Sequence, residues 1–102
     1  MRLGDRRRRF TYLLAMLILH AKALGYEIAI GNTTGKTGNP NSLHPSGCAA
    51  DLHLYIDGRY QRGMRGHKEL GAYWVSLDKN CRWGGAESND YNHYSYSTTS
   101  RW

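Results

Sequence analysis

Two short stretches of the sequence gather side chains suited to holding a metal ion. In Ser42-Leu43-His44-Pro45-Ser46-Gly47-Cys48-Ala49-Ala50-Asp51, a histidine is followed seven residues later by an aspartate. Gly47 and Ala49 between them are small enough for the backbone to fold closely round an ion. Asp90-Tyr91-Asn92-His93 supplies a second histidine with an acid three positions before it. Neutral imidazole and carboxylate are both suitable zinc ligands. Three of them, His44, Asp51 and His93, would leave a fourth position for water, as in a catalytic rather than a closed structural site. Zinc lowers the pKa of bound water to about 7 and polarises a carbonyl oxygen. A neighbouring carboxylate that does not ligate the metal can take the water's proton and deliver it to a leaving amine. Asp90 is the candidate for that role, with Glu87 as its rival.

These residues need elements to carry them. Cys48 to Ile56 alternates as a strand, with Ala49, Asp51, His53 and Tyr55 on one face and Ala50, Leu52, Leu54 and Ile56 on the other. Asp57-Gly58 is a two-residue hairpin turn, returning through Arg59 to Gln61. Phe10, Leu13, Leu14, Leu17, Ala21 and Leu24 form a helical stripe. Asp5 is the expected N-cap of that helix and Gly25 stands where it should stop. Tyr26 to Ile30 reads as a short strand and Gly31 to Asn41 as a loop. Gly63 and Gly66 bracket a second loop. Glu69 to Leu77 reads as a short helix, Trp83-Gly84-Gly85 as a turn, and Tyr91 to Trp102 as a last strand with a frayed end. The sum is one α+β domain over residues 1–102, with no internal repeat.

A chain of 102 residues has room for one modest core. Two cysteines, Cys48 and Cys81, make neither a disulfide scaffold nor a four-cysteine zinc site, and both are read as reduced and buried. The net charge of +6 suits an anionic partner. Arg6 to Arg9 oppose the dipole at a helix start, so they are read either as a solvated helix end or as an attraction to an anionic envelope surface. Arginines followed by an apolar run imitate an export signal. His20 and Lys22 interrupt the cleavage pattern, and the stripe favours a retained first helix. The apolar run is far short of the roughly 20 residues that span a bilayer.

The pattern S-x-H-x-x-G-x-A-x-D, carried by Ser42, His44, Gly47, Ala49 and Asp51, resembles the signature of the zinc D-alanyl-D-alanine carboxypeptidase and dipeptidase family. That family also contains phage L-alanyl-D-glutamate endopeptidases (endolysins). Its closing acid, three residues before a histidine and often followed by an aromatic, is matched by Asp90, His93 and Tyr94. Phe10 to Ile30 is similar to the opening of phage-type members, and Asp51 to Gly58 to their strand and hairpin. His67 to Leu77 with Arg82-Trp83-Gly84-Gly85 is similar to their late helix and Trp-Gly-Gly turn. The resemblance implies zinc on His44, Asp51 and His93, with Asp90 as general base and acid. It also implies the small α+β zinc-peptidase fold shared with Hedgehog signalling domains, a short antiparallel sheet with flanking helices. The chain departs from the family by lacking an upstream arginine between Gly31 and Gly38, where only Lys36 carries a positive charge, and by placing Asn92 where a proline is frequent. Ser42, Lys36 and Trp83 are the candidate substrate-binding residues.

The expected function is zinc-dependent hydrolysis of peptidoglycan stem peptides, at the L-alanyl-D-glutamate bond in the endolysin manner. A D-alanyl-D-alanine carboxypeptidase is the close alternative. A basic nucleic-acid-binding module, with arginines on phosphates and tyrosines on bases, is the alternative of a different class. It leaves the His-Asp-His constellation a coincidence, so no nucleic acid is expected. The expected partners are the stem peptide and an anionic envelope surface met by the basic N-terminus, and the chain is expected to act as a monomer. For a phage-encoded enzyme the expected location is the host cytoplasm and then the periplasm or cell wall.

Overall fold

A computed structural model describes residues 1–33, 35, 43 and 46–99. Helix α1 runs over Leu3–Ala23 and buries Phe10, Leu13, Leu17 and Ala21, the stripe expected from their spacing. Its start differs from expectation. Arg2, in extended conformation, occupies the N-cap without a side-chain cap, and Asp5 lies inside the first turn. There Asp5 still faces the positive helix end and also pairs with Arg8. At the other end Leu24 is the C-cap and is exposed, outside the buried stripe. Gly25 takes a φ of +85°, and the amides of Gly25 and Tyr26 donate to the carbonyls of Lys22 and Ala21. This crossed pair closes the helix and turns the chain into β1, Glu27–Ile30.

Strand β2, Ala49–Ile56, is the spine of an antiparallel sheet. β1 pairs with its second half, Ile30 opposite Leu52 and Glu27 opposite Tyr55. Asp57 and Gly58 both take positive φ, the backbone that a tight two-residue hairpin demands, and lead into β3, Arg59–Tyr60. The first half of β2 pairs with β5, His93–Tyr96, which in turn pairs with β4, Cys81–Trp83. The order across the sheet is β1-β2-β5-β4, with β3 beside β2. The protein is thus a small α+β domain with a short antiparallel sheet and flanking helices.

Helix α2, Met64–Leu77, begins five residues before the expected Glu69. The two glycines read as loop signals instead build its start. Gly63, at φ +150°, is the N-cap, and Gly66 lies so close to Gln61 that a Cβ there would come within 2.7 Å of that side chain's Cβ. Trp83-Gly84-Gly85 is likewise not a plain turn: Trp83 ends β4 and Gly84 opens a short helix α3, Gly84–Ser88.

The helices cover one face of the sheet. Ala50, Leu52 and Leu54 of β2 meet Phe10, Leu13 and Leu17 of α1 and Leu70 and Trp74 of α2 in one core. Trp74 ties the layers together. Its ring meets Phe10 and Tyr94 edge-on, and its indole N–H is shared by the carbonyls of Arg82 and Ser95. Satisfying that N–H lets the indole be buried without a desolvation penalty. Cys48 and Cys81 are buried and unpaired, and burial pushes the Cys81 thiol up to about 12. Among the described residues no helix is long and apolar enough to cross a membrane.

Candidate metal centre

Because side chains alternate along a strand, the burial of Ala50, Leu52 and Leu54 under the helices turns Asp51, His53 and Tyr55 to the opposite face of β2. His93 opens β5 directly across from Asp51. Its Nδ1 lies 3.6 Å from Asp51 Oδ1. Two ligands bonded to one tetrahedral zinc at about 2.0–2.1 Å sit about 3.3 Å apart, so these two donors keep nearly the spacing such an ion needs. The backbone of Asp51 is fixed on both sides. Its amide donates to the Asn32 carbonyl, and its own carbonyl accepts from Gly31. The Asn32 side chain in turn accepts from the Gly35 amide.

Asp90 belongs to the turn between α3 and β5. Its carboxylate oxygen is 3.9 Å from His93 Nδ1, and its side chain is 55% exposed, open to an approaching water or substrate. The turn is held by the Asp90 amide donating to the Gly84 carbonyl and the His93 amide donating to the Asp90 carbonyl. Only glycine fits at position 84, since a Cβ there would overlap the Asp90 carbonyl and crowd His93 Cβ. Trp83 supports the same turn from beneath. It is buried, its ring packs against Gly71 and Gly85, and its Nε1–H donates to the Tyr91 carbonyl at 2.6 Å. The indole proposed from sequence as a substrate contact therefore spends its polar atom on the chain beside Asp90. Glu87, the rival acid, faces Arg82 at 3.9 Å.

His44, Ser42 and Lys36 lie outside the described residues. Two residues close to His44 in sequence are firmly placed. Leu43 is buried, its carbonyl accepting from the amides of Ser46 and Cys48 and from the Ser46 hydroxyl. The Ser46 carbonyl accepts from Arg7 Nε at 2.6 Å. Here the arginine run has structural work: Arg7 reaches this loop, Arg6 reaches the Thr98 hydroxyl, and Arg9 pairs with Asp78. Among the described residues no group of three His, Cys, Asp or Glu side chains is gathered to hold a metal. Two of the three proposed ligands are described and stand together on neighbouring strands, which fits the donor set of a zinc site.

His67 entered the sequence reading only as the first residue of the stretch His67 to Leu77. It is fully buried in α2. Its Nδ1 is 2.8 Å from the Tyr94 hydroxyl, and its ring lies near those of Tyr91 and Tyr94. Burial, with a smaller contribution from His53, lowers its pKa to about 4, so the imidazole is neutral at pH 7. The signal was present in its spacing to the buried Leu70 and Trp74, three and seven residues on. His53 faces the Tyr60 hydroxyl across the hairpin, and His20 stacks flat on Tyr73 between the two long helices.

No family model, curated protein or solved structure matches the chain.

Proposed function

We propose that the chain is a zinc-dependent peptidase acting on the stem peptides of bacterial peptidoglycan, cutting the L-alanyl-D-glutamate bond. The observation that carries this reading is the pairing of Asp51 with His93 across β2 and β5, 3.6 Å apart, with the exposed Asp90 beside them. The S-x-H-x-x-G-x-A-x-D pattern supports it and supplies His44 as third ligand and the choice of substrate. A zinc ion held by His44, Asp51 and His93 would contribute a Lewis acid for the scissile carbonyl and an acidified water.

The chain's own groups do the rest. Asp90 accepts a proton from the attacking water and later gives it to the departing amine, both at its exposed carboxylate. Asp51 and His93 keep their mutual geometry because each is anchored in the sheet ladder, so little reorganisation is needed when substrate arrives. Trp83, through the Tyr91 carbonyl, and Gly84, through its fit to the Asp90 backbone, hold the general base in place. Ser42 and Lys36 are assigned to the substrate and its developing oxyanion.

The test is metal content by plasma mass spectrometry together with cleavage of defined stem peptides. Wild type should carry about one zinc per chain and cut the peptide, and Asp51→Asn should lose both. A wild type that takes up no zinc at neutral pH, even when supplied with it, sinks the reading.

A further inference from the structure

Helix α1 is apolar on two opposite faces. One holds Phe10, Leu13, Leu17 and Ala21 and is buried. The other carries Tyr12, Met16 and Leu19, which are 72%, 47% and 64% exposed. Scattered surface hydrophobes are ordinary, but these three stand at i, i+4 and i+7 and so form one continuous ridge. Arg8 lies one turn before Tyr12 on the same ridge, Arg9 flanks it, and Lys22 lies three residues beyond Leu19. The side chains of Arg8 and Arg9 are more than half exposed although each also meets an aspartate. A basic end running directly into an apolar stripe about 11 Å long suits a helix that lies in a membrane interface.

We infer that the outer face of α1 is a docking surface for an anionic phospholipid bilayer. Charge alone would suit any polyanion. Nucleic acid or a soluble wall polymer offers phosphates or carboxylates but no apolar phase, and would leave Tyr12, Met16 and Leu19 in water. A bilayer surface offers both: anionic headgroups for Arg8, Arg9 and Lys22, and the acyl boundary for the ridge. Tyr12 suits that boundary, since its ring is apolar and its hydroxyl stays at headgroup level. The protein lies on such a surface rather than through it, because no described helix is long and apolar enough to cross. Docking on the outer face of α1 also leaves the other side of the sheet, with Asp51 and His93, directed away from the lipid. This inference does not depend on the peptidase reading.

The test is co-sedimentation of the full chain with phosphatidylcholine vesicles, with and without phosphatidylglycerol, for wild type and for the combined variant Tyr12→Ser, Met16→Ser, Leu19→Ser. The replaced side chains are exposed, so the variant should keep its circular dichroism spectrum and melting behaviour. Wild type should bind the anionic vesicles at least about tenfold more tightly than the neutral ones, and the variant should lose about tenfold or more of that affinity. A second measurement reads burial directly. Met16→Cys carrying an environment-sensitive fluorophore should shift its emission to the blue on anionic vesicles. No vesicle binding by wild type, or no blue shift, overturns the inference. So does a triple variant that binds vesicles as well as wild type, for which equal retention on soluble DNA would identify plain polycation adsorption.

Discussion

His93 and His67 are both buried, one within β5 and the other against it, but they meet opposite kinds of neighbour. His93 projects from the face of β5 turned away from α1 and α2, with Asp51 at 3.6 Å and Asp90 at 3.9 Å. His67 comes from α2 and meets the other face through Tyr94, among aromatic rings. A carboxylate neighbour gives an imidazole the company that the proposed metal site asks for. An aromatic, dry neighbourhood keeps it neutral and makes it a packing group with one polar contact. Residue type is shared; function is set by what the fold brings up to the ring. One face of the sheet thus concentrates charge while the other excludes it.

The largest effect should come from His93. His93→Ala removes a proposed ligand, so zinc content should fall from about one per chain to near zero, and stem-peptide cleavage by more than about 100-fold. His67→Gln, assayed beside it, should keep its zinc. If both variants lose metal equally, the contrast between the two histidines fails.

Asp90→Asn is next. It preserves shape and removes the proton acceptor, so zinc should stay bound while turnover drops by about 10²–10⁴-fold. Metal content and initial cleavage rate, measured on the same preparation, check both halves. Loss of zinc in this variant would make Asp90 a ligand rather than a base.

How much of this was legible in the sequence depends on the range of the interaction. The stripe of α1, the two faces of β2 and the Asp57-Gly58 turn follow from local periodicity and turn chemistry, and the fold carries them as read except at Leu24, where the helix has already ended. The pairing of Asp51 with His93 needed a motif, because residues 42 positions apart are joined only by strand register. Glycine misled twice. Gly63 and Gly66 read as loop but start α2, and Gly84 reads as turn but opens α3: Gly63 is required by its backbone φ of +150°, and Gly66 and Gly84 by the close approach of Gln61 and Asp90. Asp5 misled for a related reason: a carboxylate satisfies the positive end of a helix anywhere in its first turn, so residue type alone did not fix the cap. For His67 the spacing to Leu70 and Trp74 gives only the helix face; its aromatic surroundings come from Tyr91 and Tyr94, both more than 20 residues away.

The aromatic side of the comparison has its own signature in pH. The folded-state pKa of His67 is lowered to about 4, below the ordinary 6.5. Between those values the unfolded chain takes a proton that the folded protein refuses. Stability therefore rises with pH across that window and falls on acidification, by about 3 kcal/mol in all from this one group. Above pH 6.5 it contributes no pH dependence. Urea unfolding at pH 7, 5.5 and 4 should show this loss in wild type and a flatter profile in His67→Gln. An unchanged slope in the variant would assign the acid sensitivity to other groups.

The smallest effect sharpens the contrast most finely. Tyr94 follows His93 in β5, and its hydroxyl is the partner of His67 Nδ1 on the core face. Tyr94→Phe deletes one oxygen, leaves the ring packed against Trp74 and strands a buried imidazole nitrogen. The cost should be about 1 kcal/mol at pH 7, read as a lower urea midpoint with an unchanged denaturant slope. If the two faces of β5 are independent, zinc content and cleavage rate stay at wild-type values, although the altered residue is the immediate neighbour of a proposed ligand. A variant that is slightly less stable and fully active would place the division of labour at the β-strand itself, between adjacent side chains. Zinc loss from so small a change would mean instead that His67 and Tyr94 help to set the angle of His93, and the aromatic layer would have to be counted as part of the site.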